Sequence, residues 1–136
     1  MQRYLRLITV AAGVMAAEAA PAQAQEVHEI RMVSSGKGEF RFQPASLTVR
    51  RSDVLLFRAV SGGPHSVVFE GKEVAAADRE RLNDAMPRRA GALSSPLLTD
   101  GTEYRVVVPP GLTAGTYRFF CLPHRAYDMK GEVTVR

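Results

Sequence analysis

Short segments of apolar or alternating apolar and polar residues follow one another along most of the chain. In the segment 27–33, Ile30 and Met32 fall on one face and Glu29 and Arg31 on the other. Further segments of this kind, separated by glycine, proline and small polar residues, span 46–50, 54–57, 65–69, 103–108, 116–121 and 131–136. A period of two indicates strands with one buried face, and short strands at this spacing are typical of a β-sandwich or barrel. The pattern therefore predicts an all-β domain, which we expect to be antiparallel.

One stretch, 71–101, lacks the alternation of a strand. Asp78 is a residue type that caps helix N-termini, and Pro87 would stop a helix that begins there. We therefore predict an irregular insertion with a short helix over 78–86. The simplest role for this insertion is a surface connection between strands.

The first 24 residues have the composition of a secretory signal peptide. Arg3 and Arg6 precede an apolar run, and the alanines of 22–24 fit the small-residue pattern of a cleavage site. The alternative is an uncleaved membrane anchor, but the apolar run has about half the ~20 residues that span a bilayer. We therefore predict a Sec-type signal peptide at 1–24, one mature domain at 25–136, and a periplasmic or otherwise exported protein.

The charge balance of the chain is mild. It has 18 Lys and Arg against 14 Asp and Glu, a net charge of +4, and removal of Arg3, Arg6 and Glu18 with the signal peptide leaves +3. No run of basic and aromatic residues is suited to nucleic acid, so we predict no nucleic-acid partner. The apolar run near the start is too short to span a bilayer, so we predict no stable membrane insertion, and we take a monomer as the default. An acidic partner could dock on Arg88 and Arg89, although a solvated face is the simpler explanation of that pair.

Cys121 is the sole cysteine of the chain. A single cysteine in an exported domain forms no internal disulfide, and an exposed thiol would oxidise outside the cell, so we expect this residue to be buried or bound to a metal. His124 stands three positions later, and Met129 follows after a loop of four residues. Pro123 favours the turn that would bring the cysteine and the histidine to one point. The C-x2-H-x4-M spacing therefore predicts a metal-binding loop.

The donor types indicate copper. Thiolate and thioether are soft donors, imidazole is borderline, and two histidines with one cysteine and a weak axial methionine are typical of a blue copper site. Zinc has little use for a thioether. The second histidine is either His65, which follows Pro64 and opens an apolar segment, or His28, and we favour His65. Taken singly, Cys121, His65 and Met129 would be explained as a core thiol, a turn residue and core filling.

These residues resemble the cupredoxins, and within them the plastocyanin-like group that includes pseudoazurin and amicyanin. The resemblance covers nearly all of the predicted mature domain through four segments, Phe42–Val49, Ser52–Val54, Gly63–Phe69 and Ala114–His124. The last of them contains the G-T-Y-x-F-x-C-x-P-H pattern and is the most specific. The resemblance implies a Greek-key β-sandwich that binds one type 1 copper ion per chain. It implies equatorial ligands at His65, Cys121 and His124 and an axial ligand at Met129.

The same resemblance implies a function and an exit for the electron. Cupredoxins of this group carry single electrons between redox partner proteins, so we expect a soluble Cu(II)/Cu(I) carrier and not an enzyme. In the family the electron leaves through the second histidine ligand, here His124, where partners dock on a small apolar patch. The corresponding patch residues of this chain are Pro64, Leu122, Pro123 and Ala126.

Three departures from the plastocyanin pattern change what the resemblance implies. Ser66 stands where plastocyanins often have asparagine beside the first histidine ligand, which alters the surroundings of the thiolate and the reduction potential. Phe120 replaces the tyrosine of a remote docking patch. The ligand loop contains larger residues than usual, namely Arg125, Tyr127 and Asp128. Nothing resembles the acidic patches of plant plastocyanin, so a photosynthetic role does not follow.

Two other functions compete with electron transfer. An enzyme built on this fold would need further histidines for a catalytic copper, and His28 is the sole spare imidazole in the chain. A copper carrier or storage module often uses exposed clusters of methionine and histidine, whereas these residues are not clustered apart from the predicted site. Reversible redox cycling without loss of metal distinguishes the electron carrier from the storage module.

Overall fold

The computed structural model describes residues 22–136 of the 136-residue chain. The predicted signal peptide lies almost entirely outside these residues and stays a prediction. Within 22–136 the chain forms eight strands, one α-helix and one 3-10 turn: β1 Val27–Ser34, β2 Phe40–Gln43, β3 Ser46–Val49, β4 Val54–Ala59, β5 Val68–Phe69, α1 Ala76–Ala85, β6 Glu103–Val107, β7 Gly115–Phe120, the 3-10 turn Arg125–Tyr127 and β8 Lys130–Val135.

The described strands form two four-stranded sheets that pack as a sandwich, with strand orders β2-β1-β4-β6 and β3-β8-β7-β5. This arrangement confirms the predicted all-β sandwich, and the insertion does contain a short helix. Both sheets are mixed, however, because β1 pairs with β4 and β3 pairs with β8 in parallel. The expectation of antiparallel sheets is wrong for these pairs, since a period of two identifies the buried face of a strand but not the direction of its neighbour.

The faces predicted to point inward are the buried ones. Ile30 and Met32 on β1 are fully buried, while Glu29 and Arg31 are exposed. The same alternation buries two further sets of three residues, Tyr104, Val106 and Val108 on one side and Tyr117, Phe119 and Cys121 on the other. Cys121 is buried because it continues the inward face of β7 one position beyond the end of the strand.

A cluster of phenylalanines joins the two sheets in the core. The ring centroid of Phe119 on β7 lies 4.9 Å from that of Phe42, 5.4 Å from Phe57 and 5.7 Å from Phe69, all in edge-to-face geometry. Phe42 and Phe57 belong to the first sheet, and Phe69 and Phe119 to the second. Edge-to-face pairs stabilise the fold beyond the burial of their surface, so the cluster holds the two sheets together. Phe119, at its centre, lies two residues before Cys121.

The helix of the insertion begins earlier than predicted. It spans Ala76–Ala85, and its N-cap residue makes no side-chain capping hydrogen bond. Asp78 is therefore not the cap, and instead accepts hydrogen bonds inside the fold from the Thr113 backbone N–H at 3.2 Å and the Arg81 guanidinium at 3.0 Å. The helix ends at Ala85, one residue earlier than the predicted end at Met86, and Pro87 follows as predicted. No helix within 22–136 is long and apolar enough to cross a membrane.

The end of the insertion pairs with the segment predicted as a strand over 65–69. Only Val68–Phe69 form a regular strand in that segment, and residues 93–98 run beside it. His65 exchanges two backbone hydrogen bonds with Leu98, at 2.9 and 2.8 Å. Two further bonds join the segments, from Ser95 N–H to the Val67 carbonyl and from Phe69 N–H to the Leu93 carbonyl. The insertion is therefore more than a surface connection, since it holds the backbone of His65.

A buried carboxylate fastens the start of β1 to the turn before β4. Asp53 is 3% exposed and accepts hydrogen bonds from the backbone N–H groups of Glu26 and Arg50, at 3.1 and 2.9 Å. Its Oδ2 lies 3.0 Å from His28 Nε2. Burial raises the pKa of Asp53, but together these hydrogen bonds favour the charged carboxylate and hold its pKa below the ordinary value.

We expect Asp53→Asn to destabilise the fold at neutral pH and to have little effect in acid. Because the folded pKa is depressed, the carboxylate stabilises the fold above the unfolded pKa, and this contribution is lost as the pH falls through the folded pKa. The expected loss at neutral pH is about 1.5–2 kcal/mol, the lower part of the range for bonds to a charged group, because His28 and Arg50 are partly exposed. Denaturant unfolding at neutral and acidic pH measures it.

The matched control for this prediction is Glu26→Gln. The Glu26 carboxylate is exposed and pairs with Arg50 at 3.2 Å, so its loss should change the free energy of unfolding by less than about 1 kcal/mol. An equal loss of stability for Asp53→Asn at both pH values would show that the charge of Asp53 does not contribute.

Candidate metal centre

Two histidines and the cysteine converge just beyond the end of β7. Cys121 follows the last residue of that strand, His124 precedes the 3-10 turn, and His65 pairs with Leu98 before β5. The Cys121 Sγ lies 3.3 Å from His124 Nδ1 and 3.8 Å from His65 Nδ1. One donor atom from each side chain lies within 4.8 Å of the other two. The structure therefore brings three of the four predicted ligands to one point.

The ring of His65 is held in one orientation. Its Nε2 lies 2.8 Å from the carbonyl oxygen of Ser61, and because a carbonyl only accepts hydrogen bonds, Nε2 carries the hydrogen. The lone pair is then on Nδ1, the atom nearer the Cys121 sulfur. An outer hydrogen bond of this kind orients most histidines that bind metals in proteins. His65 is thus prepared to donate an electron pair without moving.

Ser66 connects the two segments that contain the predicted ligands. Its backbone N–H donates to Cys121 Sγ at 3.4 Å, and its hydroxyl accepts a hydrogen bond from the Leu122 N–H at 2.9 Å. Because Ser66 replaces the asparagine of plastocyanins, the sequence predicts that the surroundings of the Cys121 sulfur differ from those in plastocyanins. In the structure this serine still fastens the segment of His65 to the cysteine loop, through a shorter side chain than asparagine.

The backbone of the cysteine loop closes on itself at Met129. Cys121 N–H donates to the Met129 carbonyl at 3.0 Å, and Met129 N–H donates to the His124 carbonyl at 3.4 Å. Asp128, with φ at 60°, is in the left-handed conformation that turns the chain back. The Met129 side chain is buried. The loop therefore returns Met129 to the neighbourhood of Cys121, and its role as a ligand remains a prediction.

Close packing continues where the chain leaves this loop. A Cβ atom at Gly131 would lie 2.7 Å from the ring of Phe119 and 2.9 Å from the Ala45 carbonyl oxygen. Both distances are shorter than side chains tolerate, so only glycine allows β8 to pass so near the phenylalanine cluster.

The Cys121 thiol and the His124 imidazole are both uncharged in the metal-free site at neutral pH. Burial raises the pKa of the Cys121 thiol, against the opposing hydrogen bonds from Ser66 and His124. Burial and the neighbouring His65 lower the pKa of His124. At neutral pH the metal-free site therefore holds a protonated thiol and a neutral His124 imidazole. A metal cation that binds here must displace the thiol proton, which is how thiolate sites normally form.

Two aromatic residues surround the ring of His124. Phe40 at the start of β2 stacks on it, with ring centroids 3.7 Å apart and an angle of 11° between the planes. Tyr127 packs against Phe40 at 4.9 Å and lies 6.3 Å from His124. Sequence reasoning did not assign Phe40 to the site, because it lies 84 positions before His124 and no spacing rule links the two. The one signal for it in the sequence was that Phe40 is an aromatic residue close after the turn cluster of 34–38.

The described residues contain a second group of potential metal donors, Glu26, His28 and Asp53. Arg50 lies among them, 3.2 Å from the Glu26 carboxylate and 3.9 Å from that of Asp53. The Asp53 oxygens already accept two backbone N–H groups and face His28. This group is therefore an ion-pair and hydrogen-bond network, and the structure brings His65 rather than His28 to Cys121.

The predicted docking residues lie on the surface. Leu122 is 58% exposed, and Pro64, Pro123 and Ala126 are exposed as well. Phe120, the departure from the plastocyanin tyrosine, is half-buried, and the guanidinium of Arg125 lies 4.4 Å above its ring. A cation thus covers the aromatic residue that precedes the cysteine.

Comparisons with known proteins agree with this geometry. Residues 29–136 match the family described as copper binding proteins, plastocyanin/azurin family. The chain is 34% identical over 128 residues to the chloroplastic plastocyanin of Silene latifolia subsp. alba, covering 93% of this chain and 67% of the relative. It is 34% identical over 133 residues to the plastocyanin of Prochlorothrix hollandica, covering 96% and 88%. The oxidised plastocyanin of Dryopteris crassirhizoma superposes with a TM-score of 0.65 at 29% identity, covering 80% of this chain and 100% of that one.

Proposed function

Because the chain belongs to the plastocyanin/azurin family of copper binding proteins, we propose that it carries single electrons between redox partner proteins. Its cofactor is one copper ion, for which we propose the ligands His65, Cys121, His124 and Met129. The observation that supports this most strongly is the buried group of two imidazoles and one thiol. Electron carriage is also the function that the resemblance to plastocyanins implies.

The donor set fits copper, which supplies a one-electron Cu(II)/Cu(I) couple when it is bound. Ser61 fixes the ring of His65, and Ser66 ties its segment to the cysteine loop. Packing on Phe40 restrains the ring of His124. Donors held in this way by their surroundings need to move little when the charge of the site changes. Small reorganisation of the protein is what a fast electron carrier requires.

Met129 is the proposed weak axial ligand. Its burial and the two backbone hydrogen bonds that close the loop between Cys121 and Met129 support this role. A thioether is a soft donor, which suits copper and disfavours zinc.

Redox partners are proposed to dock at the exposed surface around His124. The exposed apolar residues of the proposed docking patch are Pro64, Leu122, Pro123 and Ala126. We further propose that the protein works as a monomer outside the cytoplasm, after removal of residues 1–24. The docking role of Arg88 and Arg89 is the weaker proposal, since both are simply exposed.

Two alternatives have less support. A catalytic copper would need further imidazoles, and His28, the sole spare one, takes part in the network around Asp53. We therefore propose no enzymatic activity. A copper storage or delivery module is the second candidate. The burial of Cys121, His124 and Met129 argues against it, because such modules exchange their metal readily.

We expect His65→Ala to lose the spectrum of a type 1 copper site and His28→Ala to keep it. The His65 side chain supplies one of the three converging donors, whereas that of His28 lies in a separate group. Visible absorption and electron paramagnetic resonance (EPR) spectra, recorded with one equivalent of Cu(II), measure the outcome. The parent should show a strong thiolate-to-copper band with narrow hyperfine splitting.

The two alanine variants control for each other. Both remove an imidazole that accepts or donates a hydrogen bond, so a general loss of fold would affect both spectra. A type 1 spectrum that survives in His65→Ala and disappears in His28→Ala would overturn the proposed ligand set.

A further inference from the structure

Three aromatic rings form a contiguous stack between the metal centre and the surface. His124 is only 8% exposed, Phe40 is half-buried and Tyr127 is 56% exposed. The ring centroids are 3.7 Å apart between His124 and Phe40 and 4.9 Å apart between Phe40 and Tyr127. The first distance is van der Waals contact between parallel rings, and the second lies within the range of favourable aromatic pairs.

We propose that Tyr127 is the surface residue through which electrons enter and leave this protein, with Phe40 connecting its ring to that of His124. The proposal rests on the proposed electron-carrier function and adds the route to it. One electron passes between a redox partner and the bound copper, so that the partner is reduced as Cu(I) becomes Cu(II), without any bond or proton transfer.

The position of Tyr127 is set by the same loop that holds His124. The Tyr127 backbone N–H donates to the His124 carbonyl at 3.0 Å, and both rings lie against Phe40 with their own centroids 6.3 Å apart. Gly38 lies beside the ring, since a Cβ atom there would be in ordinary van der Waals contact with Tyr127 Cε1 at 3.8 Å. A ring exposed to this degree adds little to the core, so its packing on Phe40 calls for another explanation.

Electron transfer across a protein weakens steeply with each gap that the electron must cross between atoms in contact. A partner that touches Tyr127 would meet a path of ring contacts as far as His124. The alternative aromatic exit, Phe120 beside Cys121, lies under the guanidinium of Arg125. A partner can therefore reach the Tyr127 ring directly, whereas a charged group separates it from Phe120.

The test compares electron self-exchange between copies of this protein in the Cu(I) and Cu(II) states, measured by NMR line broadening. Tyr127→Leu keeps an apolar side chain and removes the ring, and Tyr127→Phe keeps the ring. Leu122→Ala is the comparison for lost docking area, because Leu122 is as exposed as Tyr127 and lies in the proposed docking patch, but contacts none of the three rings. We expect Tyr127→Leu to slow exchange by about ten- to a hundredfold, as when a contact that positions two reacting groups is lost. Tyr127→Phe should stay close to the parent rate, and Leu122→Ala, which removes docking area but no ring, should slow exchange less than Tyr127→Leu does.

Phe40→Leu tests the middle of the route. It should slow exchange as Tyr127→Leu does, and in the metal-free protein it should remove the ring-current shift of the His124 ring protons. The NMR shift reports the stack independently of any copper-dependent rate. The reduction potential of each variant is measured as well, so that a change of driving force is not mistaken for a change of route.

Three results would overturn the proposal. Unchanged exchange in Tyr127→Leu, with an intact type 1 spectrum, would exclude the route and leave the electron-carrier function standing. Equal slowing of exchange in Tyr127→Leu and Leu122→Ala would show that Tyr127 contributes contact area for docking and no electron route. A parent protein without a type 1 spectrum would remove the electron-carrier function itself, and the route with it.

Discussion

Cys121→Ser should abolish the intense visible absorption of the copper-loaded protein. That absorption arises from charge transfer between a thiolate and Cu(II), and serine supplies neither the sulfur nor an easily ionised group. The exchange leaves the size of the buried side chain nearly unchanged, so the other donors keep their positions. Absorption and EPR spectra of parent and variant at one equivalent of Cu(II) measure the effect. Any copper that still binds should give the wide hyperfine splitting of an ordinary nitrogen and oxygen site.

A second readout separates loss of the thiolate from loss of the fold. Burial raises the pKa of the Cys121 thiol, so copper binding by the parent at neutral pH should release about one proton, and binding by the variant none. Thermal unfolding of the two metal-free proteins checks that the variant is folded. A strong visible band in a folded Cys121→Ser protein would contradict the assignment of Cys121 as ligand.

Phe119→Ala should cost the largest amount of folding free energy of any single side chain considered. Phe119 is fully buried and contacts phenylalanines of both sheets, and truncation of such a residue destabilises proteins by about 3–5 kcal/mol. The variant leaves a cavity that Gly131 cannot fill, because glycine has no side chain at that contact. Equilibrium unfolding in denaturant, with the metal-free protein, measures the loss.

Leu122→Ala is the control for that loss, since a side chain that is 58% exposed should change the stability by no more than about 0.5 kcal/mol. If Phe119→Ala and Leu122→Ala destabilised the fold to a similar degree, the phenylalanine cluster would not be the structure that joins the sheets.

Alternation along the chain predicted most of the sandwich because it depends on burial alone. Tyr117, Phe119 and Cys121 share a face in the sequence and are buried together in the structure. The C-x2-H-x4-M loop could equally be predicted from the sequence, since its residues are near one another in the chain. Only a tight turn is needed to bring Cys121 and His124 into contact.

Features that depend on contacts between distant parts of the chain could not be predicted from the sequence. The stacking of Phe40 on His124 follows from the arrangement of β2 beside the cysteine loop, which no local pattern encodes. Parallel pairing of β1 with β4 depends on where the chain crosses between sheets. Asp78 has the residue type of a helix cap, but it lies inside the first turn of the helix. There its carboxylate accepts hydrogen bonds from Arg81 of the same helix and from the distant residue Thr113.

Repeated oxidation and reduction of the copper-loaded protein tests the electron-carrier function most directly. The visible band is followed in a spectroelectrochemical cell through several cycles, and the copper that remains bound is measured afterwards. The proposed function predicts a band that bleaches and returns fully in each cycle, with one copper ion retained per chain. Loss of copper on reduction, or a band that fails to return, would contradict electron carriage and favour a protein that stores or delivers the metal.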